Sequence, residues 1–349
     1  MSIGGKSSRI LFSSAVDVAP SLQSAREREF LKAADDGQTH LHVSTLEPVP
    51  TLGLGLFHRR PAAQPDIALW QRHTGGRAVA CGRGFTIITL TLPHRAALVD
   101  VDRLALAPEQ VMNRCVRGVL AALRNFGITP TYPGLDLVTH ERRALAALSF
   151  LEQGGPTLFQ AILAIEAPLS EGALLLDRAD PDGLVPSNLI AASTAVALCD
   201  LVGSDVVREM APGGLSKTLA RAYEETFAIE TEETAAPEIA DSNAGTFLQE
   251  PPAPSRTSSR AQTNGLLGPV EAWASHAEGR IREFAICGDF IAPPGLPQRL
   301  AEHLQACPVQ ASAIQNKVES FLDKDESYLL GLTPGALVGL VQSAVGATV

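Results

Sequence analysis

Residues 71–93 read QRHTGGRAVACGRGFTIITLTLP. The second half, FTIITLTLP, is β-branched and apolar, with Thr86, Thr89 and Thr91 interrupting the run and Pro93 closing it. That composition predicts a strand. Ahead of it lies a paired-glycine bend, Gly75-Gly76, flanked by Arg72 and Arg77 with the Thr74 hydroxyl alongside. Adjacent glycines let backbone N–H groups approach an anion closely. Guanidinium groups form paired hydrogen bonds to phosphate or carboxylate. An ordinary Gly-Gly turn between surface arginines has the same composition. No helix follows the glycines, which excludes both a P-loop and a dinucleotide fingerprint.

Strands and helices interleave on either side of this stretch. THLHVSTLEP and the TLGLGLF run before His58 read as strands. Pro108 to Phe126 reads as a helix: Val111, Cys115, Val119 and Leu123 recur every four residues, and Gly127 ends it. Strands are expected around LDLVT, ALAALSF and LFQAILAI. NLIAASTAVALCDLV then reads as a mostly buried helix with Ser187 near its start, and Ser216 to Phe227 as another. Further on, IREFAICGDFI predicts a strand with a turn at Gly288-Asp289, and helices follow over LPQRLAEHLQAC, around Ile314, Val318 and Phe321, and from Thr333-Pro334.

The clearest boundary lies at 229–264. Ala222 to Ser255 holds no Lys or Arg but eight acids, and PPAPSRTSSRAQTNG follows. Acidic, Pro/Ser-rich sequence buries too little apolar area to offset its ordering entropy. The expected organisation is therefore a domain over 1–228, a linker over 229–264 and a small α+β domain over 265–349. The 28 Lys and Arg against 38 Asp and Glu give a net charge of −10. That balance argues against nucleic-acid and anionic-membrane surfaces. No apolar run is long enough to span a membrane. The five cysteines are scattered without a CxxC pair, so free thiols and a cytoplasmic setting are expected. No lysine occurs between Ala33 and Ser216, so none from that stretch can clamp a phosphate.

The 71–93 stretch resembles the Arg-Arg-x-Ser/Thr-Gly-Gly-x-Ala-Val-x-His-Asp motif of the lipoate–protein ligase family. TLGLGLFHRR is similar to the strand and loop before that motif, PGLDLVTHERRALAALSF to the Asn-Asp and Gly-Arg-Lys-Ile segment, and IREFAICGDFIAPPGLPQRLAEHLQAC to the accessory domain. The resemblance implies an α/β (α+β) fold: a mixed-sheet catalytic domain of biotin/lipoate-ligase type plus a small accessory domain. It implies activation of lipoate or octanoate with ATP and Mg²⁺, then transfer of the acyl group to a lysine of a lipoyl-carrier domain. Carried over by position, Arg72, Thr74, Gly75, Gly76, Arg77 and Ala78 line the adenylate and acyl pocket, and Asp136 matches the acidic residue near metal and phosphate.

The chain departs from the pattern at several positions. The family's first arginine is Gln71, its His-Asp pair is Cys81 and Gly82, its lysine is Ala144 with Ala147 at the following glycine, and its His-Gly pair is Gln160 and Ala161. Electrostatic stabilisation of developing charge is usually the largest catalytic contribution, so the lysine matters most. Arg143 or Lys217 is a candidate replacement; Arg142 and Arg143, read as strand neighbours, point to opposite faces. Three readings follow: an active ligase with a rebuilt site, a non-catalytic relative that binds a lipoyl group, acyl-adenylate or carrier domain, or an acyltransferase using Cys81 as its thiol. A docking patch of Arg59, Arg60 and Arg72 would suit an acidic carrier. Elsewhere, Asp289 reads as a capping residue in a structural turn, Cys115 as core, and His40 and His42 as polar surface residues sharing a face. Asp177, Asp180 and Asp182 read as a solvated turn. No histidine spacing fits a metal site.

Overall fold

A computed structural model describes residues 5–62, 64–102, 106–152, 154–239, 258–323 and 328–346. The chain opens with β1 (Arg9–Val18), α1 (Pro20–Asp35), β2 (His40–Leu46), β3 (Pro50–Leu54), β4 (Ala68–Gln71), β5 (Val79–Gly82) and β6 (Phe85–Leu92). Next come α2 (Gln110–Asn125), β7 (Leu137–His140), β8 (Arg143–Glu152), β9 (Thr157–Ala164), α3 (Glu171–Ala179), α4 (Ser204–Glu209), α5 (Pro212–Phe227) and β10 (Glu230–Glu233). The last part holds β11 (Ser259–Asn264), β12 (Pro269–Ala277), β13 (Arg280–Gly288), α6 (Leu296–Leu304), α7 (Ala311–Leu322) and α8 (Pro334–Val345).

The main sheet is mixed, in the order β10-β1-β2-β6-β9-β8-β7. β1 runs parallel to β2 and β10, and the other neighbours are antiparallel. β6 is buried along its whole length, as the FTIITLTL run requires. One face, carrying Ile88, Leu90, Phe150, Phe159 and Leu163, packs on α2 and α5. Gly118 of α2 leaves room for the Tyr223 ring of α5, which a Cβ there would strike. The Tyr223 hydroxyl donates to Cys115 O at 2.6 Å. The opposite face is covered by α1 and by a small sheet in the order β4-β3-β5, on which α3 packs. Residues 258–345 build a second core of an antiparallel sheet, β11-β12-β13, against α6, α7 and α8, with Phe57 of the first part packed into it. The fold is thus the expected α+β arrangement of a mixed-sheet domain with a small α+β appendage.

Three expectations need correction. Residues 188–202 form no helix; they run as an irregular strap with single 3-10 turns at Ala192–Thr194 and Leu198–Asp200. Ser187 caps nothing there, because its hydroxyl is used elsewhere, as described below. The acidic stretch begins with strand rather than linker: β10 pairs in parallel with β1, and Arg9 forms an ion pair with Glu232. Ser259–Asn264 belongs to the second sheet, and 240–257 lies outside the described residues. Asp177 sits within α3, and Asp180 is buried, accepting from Leu184 N (2.9 Å) and Val185 N (2.6 Å).

Candidate functional site

The loop between β4 and β5 carries the arginine–glycine motif, and its residues are buried. Gly76 adopts φ +84°, a region that favours glycine. A Cβ at Gly75 would collide with Phe290 O, and Gly76 N–H donates to Phe290 O at 2.8 Å. The bend therefore packs against the chain just after β13. Its Gly76 N–H is committed to a protein carbonyl rather than offered to an anion, which corrects the expectation for that group.

Arg72 is 1% exposed, so it cannot belong to a docking patch with Arg59 and Arg60. It starts a continuous chain of hydrogen bonds. Arg72 Nη1 donates to Ser149 Oγ at 3.0 Å, Ser149 and Thr74 hydroxyls meet at 2.7 Å, and Thr74 Oγ1 donates to Gln160 Oε1 at 3.1 Å. Gln160 Nε2 donates to Glu27 Oε1 at 2.8 Å, as does Gln23 Nε2 at 3.0 Å. Ser44 Oγ donates to Gln23 Oε1 at 3.0 Å. Burial raises the Glu27 carboxyl to about 7, against the pull of Gln23, Arg72 and Gln160. Burial likewise lowers the Arg72 guanidinium to about 10. Glu27 Oε2, Gln71 Oε1 and Arg72 Nε are buried without a partner. His73 turns away and meets Ser24 O at 3.0 Å; burial lowers its pKa to about 4.

Arg77 and Asp136 form a second unit. Arg77 Nε donates to Asp136 Oδ2 at 2.6 Å and Nη2 to Oδ1 at 2.9 Å. Arg77 also donates to Asn188 O at 2.8 Å and Leu267 O at 3.2 Å. Burial disfavours this cation, but Asp136 outweighs burial and the guanidinium is held more firmly protonated than usual. The turn before β7 delivers Asp136: Gly134 and Leu135 both have positive φ. Both carboxylate oxygens face a guanidinium, so this arrangement does not fit a magnesium ion at Asp136. With Gly76 N–H committed to Phe290, the bend is no better fitted to nucleotide phosphates.

A third unit joins the accessory region to the motif. Asp289 Oδ1 accepts from His58 Nε2 (2.9 Å) and Ser187 Oγ (2.8 Å), and Oδ2 accepts from Asn188 N (2.5 Å). His58 Nδ1 accepts from Gly55 N at 3.0 Å, which leaves the proton on Nε2. Ser187 Oγ accepts from Ala78 N at 2.8 Å. The expected turn at Gly288-Asp289 is therefore also a buried latch.

The expected catalytic candidates lie apart. Cys81 is fully buried on β5, and burial pushes its thiol up to about 12 despite nearby Arg72; this opposes a thiolate nucleophile. Ala144 and Ala147 share one apolar cluster with Val79, Ala80 and Ile162. Arg142 is not on a strand: Glu141 and Arg142 form the β7–β8 turn with φ +49° and +67°. Arg143 is half-exposed and 3.8 Å from Glu141; Lys217 is exposed on α5 and 3.5 Å from Glu233. No described bond joins either to the Arg72 or Arg77 groups. His42 is fully buried rather than a surface residue. Among the described residues no cluster of three metal-ligating side chains occurs, and no helix is long and apolar enough to cross a membrane. A separate cleft of about 610 Å³ opens at the β5–β6 turn, between Arg83, Phe85, Glu166, Cys199 and Met210. It shares no lining residue with the Arg72–Ala78 loop.

Sequence reasoning missed Gln23, Glu27, His58, Ser149 and Ser187. The AREREF run around Glu27 looks like a solvated charged helix, and nothing local marks one carboxylate as buried.

No family profile and no curated protein sequence matches the chain. Solved structures do. The chain is similar to LipL1 of P. falciparum in complex with lipoate, with TM-score 0.61 and 12% identity over 96% of this chain and 98% of that one. It is similar to a chain from the Thermoplasma acidophilum lipoylation system, a bi-partite lipoate protein ligase and its E2 lipoyl domain (TM-score 0.50, 16% identity, 68% and 91% covered). It is also similar to lipoate-protein ligase A bound with ATP (TM-score 0.50, 15% identity, 68% and 92% covered). These superpositions show the fold: the chain has the fold of the lipoate–protein ligases.

Proposed function

We propose that this protein is a lipoate–protein ligase relative that binds a lipoyl- or octanoyl-type acyl group, or the carrier domain bearing it, without adenylating the acyl group. One observation carries the reading: Arg77 occupies both oxygens of Asp136, the carboxylate that the family resemblance assigns to metal and phosphate. Two others support it. Ala144 stands where the resemblance places the lysine, inside an apolar cluster. Cys81 is buried, and burial pushes its thiol up to about 12, which speaks against the thiol route. The retained element is Arg72, whose Nε is buried without a partner and whose charge acts on Glu27, itself left with a free Oε2. Those atoms suit the polar end of a small ligand. Calorimetric titration of lipoate, octanoate and a lipoyl-carrier domain into the full chain, with and without ATP and Mg²⁺, tests the reading. Nucleotide-independent binding that weakens in Arg72→Met is the expected result. Absence of binding to all three ends it.

The second reading is an active ligase using ATP, Mg²⁺ and lipoate. The end-to-end likeness to a lipoate-bound structure favours it. It requires Arg77 to leave Asp136, and binding that appears only with ATP and Mg²⁺ would support it.

A further inference from the structure

A buried polar row crosses five strands beneath α1. Ser13 on β1 lies opposite His42 on β2, His42 opposite Thr89 on β6, Thr89 opposite Gln160 on β9, and Gln160 opposite Ser149 on β8. All five are buried. The Gln160–Ser149 end is satisfied by the bonds described above. The other end is not. Thr89 Oγ1, Thr91 Oγ1, His42 Nε2, His40 Nδ1, and Arg26 Nε and Nη1 are buried without hydrogen-bond partners. Buried polar atoms are nearly always paired, so six on one sheet–helix interface specify a partner of defined chemistry.

The six belong to one cluster. Phe30 on α1 lies 5.1 Å from the rings of both His40 and His42. Arg26 stands one helical turn earlier on the same face of α1, and its charge acts on His42. Thr91 is the register partner of His40 as Thr89 is of His42. Burial lowers the pKa of Arg26, and among the described residues no ion pair joins it to a carboxylate. Glu27, its chain neighbour, is turned to Gln160 and Gln23. Ser13 Oγ and His42 Nδ1 are 2.8 Å apart. With the serine donating, His42 Nε2 keeps its proton and acts as a neutral donor. The cluster therefore offers one cation and, as neutral donors, the His42 ring N–H and the Thr89 and Thr91 hydroxyls, while His40, whose Nε2 donates to Gln38 Oε1 at 3.0 Å, presents an unprotonated Nδ1. That set repels a metal ion, and an aliphatic chain end would satisfy none of it.

We propose that Arg26, His42 and the Thr89 hydroxyl bind a small oxyanion, the phosphate or carboxylate group of a ligand entering beside α1. Arg26 and His40 are only partly buried, which gives the anion its approach. The site adjoins the Arg72 network at Thr89, the register partner of Gln160, but no hydrogen bond among the described residues joins the two, and the proposal does not depend on the acyl reading.

The test uses the full chain, with inorganic phosphate and octanoate as probes, followed by calorimetry and by NMR of the histidine ring protons. Saturable binding of either probe is expected, moving the His42 signals and weakened at least tenfold in Arg26→Gln. The near-isosteric Thr89→Val keeps the fold and is expected to weaken binding several-fold. Phosphate alone binding identifies a phosphate-bearing ligand; octanoate alone identifies a carboxylate. Failure of both probes, or binding undiminished in both variants, overturns the proposal.

Discussion

Arg77 and Asp136 form a bidentate pair, 2.6 and 2.9 Å, in which both partners are buried. A pair of this kind is strongly felt when broken, because the survivor is left charged in a low-dielectric site. Arg77→Ala is expected to cost about 3–5 kcal/mol in urea unfolding. The double variant Arg77→Ala, Asp136→Ala should recover a large part of that loss. A double-variant loss equal to the sum of the two single losses would show that the pair is not coupled.

Glu27 gives a pH signature with a definite sign. Its folded pKa, about 7, lies above the ordinary 4.5. Between those values the folded state holds a proton that the unfolded state has lost. The stability contributed by the protonated carboxyl is present below pH 4.5 and is lost as pH rises through 7. For a fully buried group this amounts to about 3 kcal/mol. His42 and His73 act oppositely, because burial lowers them to about 3 and about 4. They contribute stability above pH 6.5 that is lost as pH falls through those values. The wild-type curve mixes both trends, so the comparison is with Glu27→Gln, which retains an oxygen for Gln160 and Gln23. Stability of this variant relative to wild type should rise between pH 4.5 and 7. A flat difference would place Glu27 in water.

The latch at Asp289 and the bend at Gly75 meet at Phe290. Gly75→Ala places a methyl group against Phe290 O, a backbone atom with little freedom to retreat. Overpacking of this type costs about 1–3 kcal/mol. A lowered thermal midpoint and faster proteolysis near residue 290 are expected. An unchanged midpoint would mean that the bend does not touch the accessory region.

Thiol reactivity should follow burial. Cys199 is exposed, whereas Cys81, Cys115, Cys287 and Cys307 are buried. In native protein an aromatic disulfide reagent should modify Cys199 first, with Cys81 reacting only on unfolding. Rapid native labelling of Cys81 would reopen the thiol route.

Much of this fold was legible in the sequence. FTIITLTLP, LFQAILAI and ALAALSF are strands because β-branched and apolar residues fill positions buried on both faces. The four-residue spacing of Val111, Cys115, Val119 and Leu123 marks the buried face of α2. The failures have physical causes. NLIAASTAVALCDLV is apolar enough for a helix, yet Val196 N bonds to Ala144 O and Cys199 N to Ile165 O, so the strap is tied strand-like to the domain. ETEE reads as linker because its side chains are solvated, but an edge strand needs only backbone pairing with β1. At the site, Arg72 and Arg77 were visible from their glycines. Their partners Ser149 and Asp136 lie 77 and 59 residues away, and no local pattern links such residues.

Exchange of labelled pyrophosphate into ATP, in the presence of Mg²⁺ with lipoate or octanoate, measures acyl-adenylate formation directly. With Asp136 held by Arg77 and an alanine at position 144, no exchange above the protein-free background is expected from either acid. Exchange that requires the acid and disappears in Asp136→Asn would contradict the account and establish an active ligase.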